Sequence, residues 1–157
     1  MIQQPTFPIS VPASFARAAA GDPRLSQLVQ GTYFRAARLT DGAGQYLDYN
    51  LRFSSTPTSW SLQQGIYNQY PGYWIFRTDV NQCWQAQNTN GPLVYWNKDG
   101  LAHWPPQDWE LFRFEFADTG QYVVAKNIYG TNYLRQQGIN FGCDGTYGNA
   151  VRFGVEF

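Results

Sequence analysis

Residues 81–111 read NQCWQAQNTNGPLVYWNKDGLAHWPPQDWEL, and this stretch decides the fold. It holds four of the six tryptophans and the only histidine of the chain. Two aromatic and apolar runs flank the turn dipeptide Asn90-Gly91, a pattern typical of a β-hairpin. The stretch ends in Gln107-Asp108-Trp109. If the chain is built from such strand pairs, related units should recur on both sides of this one.

Composition favours one all-β domain without a nucleic-acid partner. A chain of 157 residues is long enough to bury one core. Its 11 basic and 11 acidic residues balance, so the positive field that recruits nucleic acid is missing. Aromatic residues make up 18% of the chain, and glycine and proline occur throughout, which indicates many short strands joined by turns.

Three marks recur at spacings of about 40 to 50 residues. A turn glycine feeding a strand opens each unit, at Gly31-Thr32-Tyr33-Phe34, Gly72-Tyr73-Trp74 and Gly120-Gln121-Tyr122-Val123. A second strand is marked by Gln45-Tyr46-Leu47, Gln82-Cys83-Trp84 and Asn132-Tyr133-Leu134. The closing marks are Thr58-Ser59-Trp60, Gln107-Asp108-Trp109 and Asn149-Ala150-Val151. A unit of this size cannot bury its own apolar face, so we expect the three units to share one core.

Three such units predict a β-trefoil over residues 31–157, with units at about 31–70, 71–118 and 119–157. Six strands would close a barrel and three hairpins would cover one end, which removes exposed strand edges. The rival all-β architecture is a sandwich. Within the trefoil we expect Trp60, Trp84 and Trp109 to be core residues.

Residues 1–30 are predicted to form an extended and helical arm. Prolines keep residues 1–11 extended, and residues 14–20 are good helix formers. Asp22-Pro23 then supplies an N-cap and a proline in the first turn of a short helix, on which Leu25, Leu28 and Val29 share a face. We expect this arm to pack on the domain, and a partner-docking helix is the alternative.

The sequence predicts neither catalysis, nor a cofactor, nor a metal site. His103 is the only histidine available as a base, and no nucleophile-elbow motif surrounds a serine. Most acidic residues have a structural explanation, as turns at Asp41-Gly42, Asp99-Gly100, Asp118-Thr119-Gly120 and Asp144-Gly145, or on the polar face of the strand FRFEF at 112–116.

The two cysteines and the distribution of apolar residues give expectations about disulfide bonding and localisation. Cys83 and Cys143 are expected to be small core residues, with a bridge between them left open. No signal peptide or membrane-spanning run is recognisable. The sequence therefore predicts a soluble cytoplasmic protein, with non-classical release as the alternative.

The triplet at 107–109 resembles the Q-x-W signature of the ricin-type β-trefoil lectins. By that resemblance Trp96 stands at the place of the sugar-stacking aromatic, and Asn88 at the place of an acidic residue after the second strand. Gln107 is the second member of the polar pair before the closing tryptophan, and Pro106 replaces the first. The first and third units lack this set, so the resemblance implies at most one working site, in the middle unit.

The first functional hypothesis is therefore a non-catalytic module that binds a glycan or glycoconjugate. A neutral sugar requires an aromatic surface and side chains that exchange hydrogen bonds with hydroxyls. The predicted ligand-binding residues are Asn88, Trp96, Asn97, Asp99, His103, Trp104 and Gln107.

A protein-interaction module is the alternative function. The opening glycines and the strand at Tyr133-Leu134 are also similar to fascin-like trefoils, which bind actin or act as interaction scaffolds. Trefoil protease inhibitors work through surface loops, and a fold alone does not choose among these functions.

Overall fold

The structure is a computed structural model that describes residues 22–87, 90–97, 108–118, 120–128 and 132–157. It begins with the helix α1 (Pro23–Gln30). The Asp22 side chain accepts a hydrogen bond from the Arg24 amide at 3.0 Å, and Gly31 ends the helix with φ of 82°. Leu25 and Leu28 are buried. The helix predicted from Asp22-Pro23 is confirmed, whereas the one predicted at 14–20 lies outside the described residues.

The described chain forms a 12-stranded antiparallel sheet, so the all-β prediction is confirmed. Its strands are β1 (Ala36–Thr40), β2 (Tyr46–Leu47), β3 (Phe53–Ser54), β4 (Trp60–Tyr67), β5 (Tyr70–Arg77), β6 (Gln82–Ala86), β7 (Leu93–Asn97), β8 (Leu111–Ala117), β9 (Tyr122–Asn127), β10 (Tyr133–Gln137), β11 (Asn140–Gly145) and β12 (Gly154–Glu156). Short 3-10 turns cover Asp108–Glu110 and Tyr147–Asn149.

Two kinds of strand make up the sheet. β1, β4, β5, β8 and β9 pair in this order, and β12 pairs with β1. Phe153, just before β12, bridges to Val123 in β9 through two backbone hydrogen bonds of 2.8 Å. The remaining strands form the hairpins β2–β3, β6–β7 and β10–β11, which join the first set through β1, β5 and β9.

Three residue pairs, which we call the matching pairs, bear on the predicted closing marks. Ala37 lies opposite Trp60, Tyr73 opposite Phe112, and Val123 opposite Phe153. Phe112 and Phe153 thus face Tyr73 and Val123 as Trp60 faces Ala37, whereas the predicted closing residues Trp109 and Val151 are not members of these pairs. Trp109 is 37% exposed on a 3-10 turn, so its prediction as a core residue is wrong.

Residues from the three hairpins pack together with the large side chains of the matching pairs. Trp60, Phe112 and Phe153 are fully buried, as are Leu47, Trp84 and Leu134 from the second strand of each unit. The Trp84 ring centroid lies 5.4 Å from that of Trp60 and 5.5 Å from that of Phe112. The predictions that Trp60 and Trp84 are core residues are confirmed.

The opening of the first unit also differs from the prediction. Gly31 ends α1, and the strand starts only at Ala36. Tyr33 instead lies between the helix and the sheet, and its amide donates a hydrogen bond to the Tyr73 hydroxyl at 2.9 Å. Burial raises the pKa of Tyr73 to about 12, so this hydroxyl stays protonated even well above physiological pH.

The turn predictions have mixed outcomes. The Asp41 carboxylate accepts hydrogen bonds from the amides of Ala43 and Gln45, and Gly42 has φ of 80°, so this turn is confirmed. Asp144-Gly145 is not a turn, because both residues belong to β11. There the Asp144 carboxylate pairs with Arg135 on β10 at 2.8 Å.

Candidate functional site

The middle unit carries a second group of packed side chains, separate from the main core. Trp74, Phe76, Cys83 and Leu111 are buried together, and Tyr67, Trp96 and Ile128 pack on them while half-buried. Successive side chains of a strand point to opposite faces, so Tyr73 and Ile75 enter the main core while Trp74 and Phe76 point the other way. We call this group the outer cluster.

Strand register assembles the outer cluster. Trp74 lies opposite Leu111 on β8, and Phe76 lies opposite Cys83 on β6. Cys83 in turn lies opposite Trp96 on β7. Directly opposed residues share one face of a sheet, so these side chains form a continuous surface across β8, β5, β6 and β7. The Trp74 and Phe76 ring centroids are 4.8 Å apart.

Trp96 is the member of the outer cluster that the sequence predicted as a ligand-binding residue. Its side chain is half-buried, and its Nε1 atom is buried against the protein. The part of the indole that solvent can reach is therefore made of ring carbons. Such a surface suits stacking against an apolar ligand face better than hydrogen bonding.

The position of Trp96 is fixed by its neighbour on β7. Tyr95 points to the opposite face and donates a hydrogen bond to the Tyr49 carbonyl at 2.7 Å. The Arg77 guanidinium lies 4.7 Å from the Tyr49 ring centroid and 5.3 Å from that of Tyr95, and it pairs with Asp79 at 2.7 Å. The hydrogen bond to Arg77 lowers the pKa of Asp79, so this pair is ionised at neutral pH. β7 is thus held against the first unit.

The other two units carry different side chains at the places of Trp74 and Phe76. Counting from the matching pairs, the first unit has Arg38 and Thr40 there, and the third has Val124 and Lys126. Arg38 pairs with Glu156, and Lys126 lies 3.8 Å from Glu115, so the cations at these places meet carboxylates. Among the residues that the structure describes, only the middle unit has aromatic side chains at these two places.

The other predicted site residues lie at the end of β7 or outside the described residues. Asn97 lies at the end of β7, opposite Gln82, and only its backbone is described. The others lie outside the described residues, namely Asn88, Asp99, His103, Trp104 and Gln107.

Sequence reasoning missed Trp74 and Phe76 as partners of Trp96. A signal was present, because Tyr73-Trp74-Ile75-Phe76 is a continuous apolar run, and such a run indicates a strand buried on both faces. The position of Arg77 between Tyr49 and Tyr95 had no comparable signal, since the pairing of these residues depends on tertiary structure.

Several of the described carboxylates have structural partners. Arg24, Arg135 and Arg152 pair with Asp22, Asp144 and Asp118, and Tyr133 donates a hydrogen bond to Glu115 at 2.7 Å. Among the residues that the structure describes, no three His, Cys, Asp or Glu side chains are grouped so that they could hold a metal ion. In the same ranges no helix is long and apolar enough to cross a membrane.

Neither a protein-family model nor a curated protein sequence matches this chain.

Cys83 and Cys143 are both buried, in the outer cluster and in the main core respectively, and neither forms a disulfide. The disulfide that the sequence left open is therefore not formed. Burial raises the pKa of Cys143 to about 11, which keeps this thiol protonated and poorly nucleophilic at neutral pH.

Proposed function

We propose that the chain is a non-catalytic carbohydrate-binding module with a β-trefoil fold, and that its sugar stacks on Trp96 of the middle unit. The strand pairings support this fold. β1, β4, β5, β8, β9 and β12 supply six barrel strands, with Phe153 bridging to β9, and the three hairpins branch from β1, β5 and β9. The equal register of Ala37–Trp60, Tyr73–Phe112 and Val123–Phe153 is what threefold pseudosymmetry requires.

One observation carries the functional proposal. Trp96 packs on the outer cluster, opposite Cys83, with its ring nitrogen buried, so it offers solvent a patch of ring carbons. A pyranose has a matching apolar face formed by its C–H groups, and a preorganised aromatic binds it with little loss of side-chain entropy. The predicted polar partners Asn97, Asp99, His103 and Gln107 follow Trp96 in the chain and would exchange hydrogen bonds with the hydroxyls.

Tryptophan fluorescence provides a direct test. We expect titration with galactose-, glucosamine- and arabinose-type sugars to change the emission of the wild type for at least one of them. In Trp96→Ala the affinity should fall about tenfold or more, because the stacking surface is lost. Circular dichroism of the variant should remain that of the wild type.

Tyr147→Ala is the matched control, since Tyr147 is an exposed aromatic of the third unit. This variant should bind the sugar as the wild type does. Equal losses in both variants would contradict a specific role for Trp96. An array of glycans that gives no response with the wild type would refute carbohydrate binding altogether.

A protein-interaction module is the second candidate, and it is favoured by the hairpin β4–β5. Near its tip Ile66 is 52% exposed and Tyr70 is 51% exposed. Neighbouring apolar side chains that face solvent are a feature of protein-interaction surfaces. Under this alternative Ile66→Lys, and not Trp96→Ala, would abolish the function, so the two variants separate the candidates.

A further inference from the structure

A cavity lies at the end of α1, where the pairing of β5 with β8 stops. The described pairings of these two strands end with Tyr73 opposite Phe112. Beyond this pair, residues 71–73 and 113–114 line a cavity of about 260 Å³, and residues 28–31 line its other side. At about 30 Å³ for each water-sized group, the cavity has room for about nine non-hydrogen atoms. This is the size of a small organic molecule.

The cavity has apolar walls and one buried polar group. Leu28 and Phe114 line it and belong to the main core, where they are fully buried or nearly so. Tyr73 reaches from β5 to the segment after α1, where its hydroxyl accepts the hydrogen bond of the Tyr33 amide. No described residue accepts the hydrogen of this hydroxyl. Because the raised pKa of Tyr73 keeps that hydrogen in place, a ligand whose acceptor oxygen reached it would gain a hydrogen bond.

Arg113 brings an uncompensated positive charge to the cavity. Its Nε atom donates a hydrogen bond to the Pro71 carbonyl at 3.0 Å, which leaves both Nη groups for another acceptor. Arg113 lies opposite Lys126 on β9, and Lys126 lies 3.8 Å from Glu115. Within the described part of the chain no carboxylate pairs with Arg113. The cavity therefore attracts an anion, and a carboxylate matches the geometry of a guanidinium.

Two further features favour an anion at this place. Gln64 on β4 lies opposite Tyr73 and lines the cavity, and no described residue bonds to its side-chain amide. Carbonyl groups at the end of a helix repel an anion, but here the amides of Gly31 and Thr32 cap two of them with hydrogen bonds of 3.2 and 2.9 Å. Arg113 and Gln64 thus supply donors to a ligand without a competing carboxylate.

We propose that this cavity binds a small apolar monocarboxylate of about the size of benzoate. The carboxylate accepts hydrogen bonds from the Nη groups of Arg113, and the donors of Gln64 and Tyr73 are available for its remaining lone pairs. The apolar part of the ligand contacts Leu28 and Phe114, so the cavity discriminates against inorganic anions, which would lose their hydration there. No residue of the outer cluster lines this cavity, so the proposal does not depend on glycan binding.

NMR titration with benzoate tests the proposal, because a chain of 17.9 kDa gives a resolved amide spectrum. At neutral pH the amide signals of Gly31, Gly72 and Arg113 should shift and reach saturation. Benzamide has the same ring and size but no charge. It should bind the wild type about tenfold or more weakly than benzoate does, because it cannot form the charge-assisted hydrogen bonds.

Substitution of Arg113 locates the site. Arg113→Gln keeps hydrogen-bond donors and removes the charge, so the benzoate dissociation constant should rise about tenfold or more and the preference over benzamide should disappear. Arg52→Gln is the matched control, since Arg52 also lacks a described carboxylate partner but does not line the cavity, and it should bind benzoate as the wild type does.

Trp96→Ala separates this site from the proposed glycan site. It should bind benzoate with wild-type affinity, and a sugar response of the wild type should persist in Arg113→Gln. Loss of one response without the other therefore shows which of the two proposals fails.

Four results would overturn the carboxylate site. Benzoate could cause no saturable shift in the wild type, or shifts confined to the outer cluster. Benzamide could bind the wild type as tightly as benzoate, a comparison that decides the matter even if Arg113→Gln does not fold. Arg52→Gln could weaken benzoate binding as much as Arg113→Gln does.

Discussion

Replacing Trp60 and Trp109 by alanine in parallel tests the register of the three units. Trp60 is fully buried, and its Nε1 donates a hydrogen bond to the Leu47 carbonyl at 3.1 Å. Its ring centroid lies 5.0 Å from that of Tyr49 and 5.4 Å from that of Trp84. Trp109 occupies a 3-10 turn and is 37% exposed.

The expected magnitudes differ because only one of these substitutions opens a cavity. Truncating a buried tryptophan costs about 3–5 kcal/mol. Because Trp60→Ala also leaves the Leu47 carbonyl without its donor, the loss in free energy of unfolding should lie near the upper end of this range, at about 5 kcal/mol. Trp109→Ala leaves no enclosed void, and we expect a cost of about 1–2 kcal/mol. Phe112, which is fully buried and faces Tyr73 as Trp60 faces Ala37, should behave as Trp60 does, at about 3–5 kcal/mol on truncation.

Urea unfolding followed by circular dichroism measures these differences from the shift in midpoint at constant slope. Trp60→Phe, which keeps an aromatic ring but loses the hydrogen bond, provides a milder variant if the alanine variant does not fold. The register would be refuted if Trp109→Ala were as destabilising as Trp60→Ala while Phe112→Ala were tolerated.

Three further predictions concern the helix, the thiols and acid stability. Asp22→Ala should lower the free energy of unfolding by about 1 kcal/mol, because α1 loses its N-cap, and urea unfolding will measure it. Cys83 and Cys143 should resist a thiol reagent in the native protein at pH 8 and react fully in denaturant, and fast native labelling would contradict their burial. The pKa of Asp144 is lowered by its hydrogen bond to Arg135, so this pair stabilises the fold above the carboxyl's ordinary value near 3.8, and the contribution is lost as pH falls through the lower folded value. The pair is exposed, so its contribution at neutral pH should be about 0.2–1 kcal/mol, and Asp144→Asn should remove that part of the acid dependence.

Local signals in the sequence predicted several elements correctly. Asp22-Pro23 marks a helix start by cap chemistry alone, and the alternation from Phe112 to Phe116 marks a strand with one buried face. Trp84 was predicted to be buried because it shares a position with Leu47 and Leu134, and all three side chains are buried. In each case the physical cause lies within a few neighbouring residues.

Register and site geometry were harder to predict because they depend on distant partners. Gln107-Asp108-Trp109 matched a signature, but the residue opposite Tyr73 is Phe112, and nothing within the triplet reveals that pairing. Asp144-Gly145 has turn chemistry, yet pairing with β10 keeps it in a strand. Of the predicted ligand-binding side chains, Trp96 is the one that the structure describes, and its surroundings come from three other strands.

The pairing of β1 with β12 has a consequence for synthesis of the chain. Leu39 lies opposite Val155, so an early strand meets a partner made more than a hundred residues later. During translation β1 leaves the ribosome long before Gly154–Glu156 exist, and the sheet cannot complete this seam until they emerge. Contacts of such sequence separation make folding slow, so the nascent chain must keep its aromatic strands from aggregating during that delay.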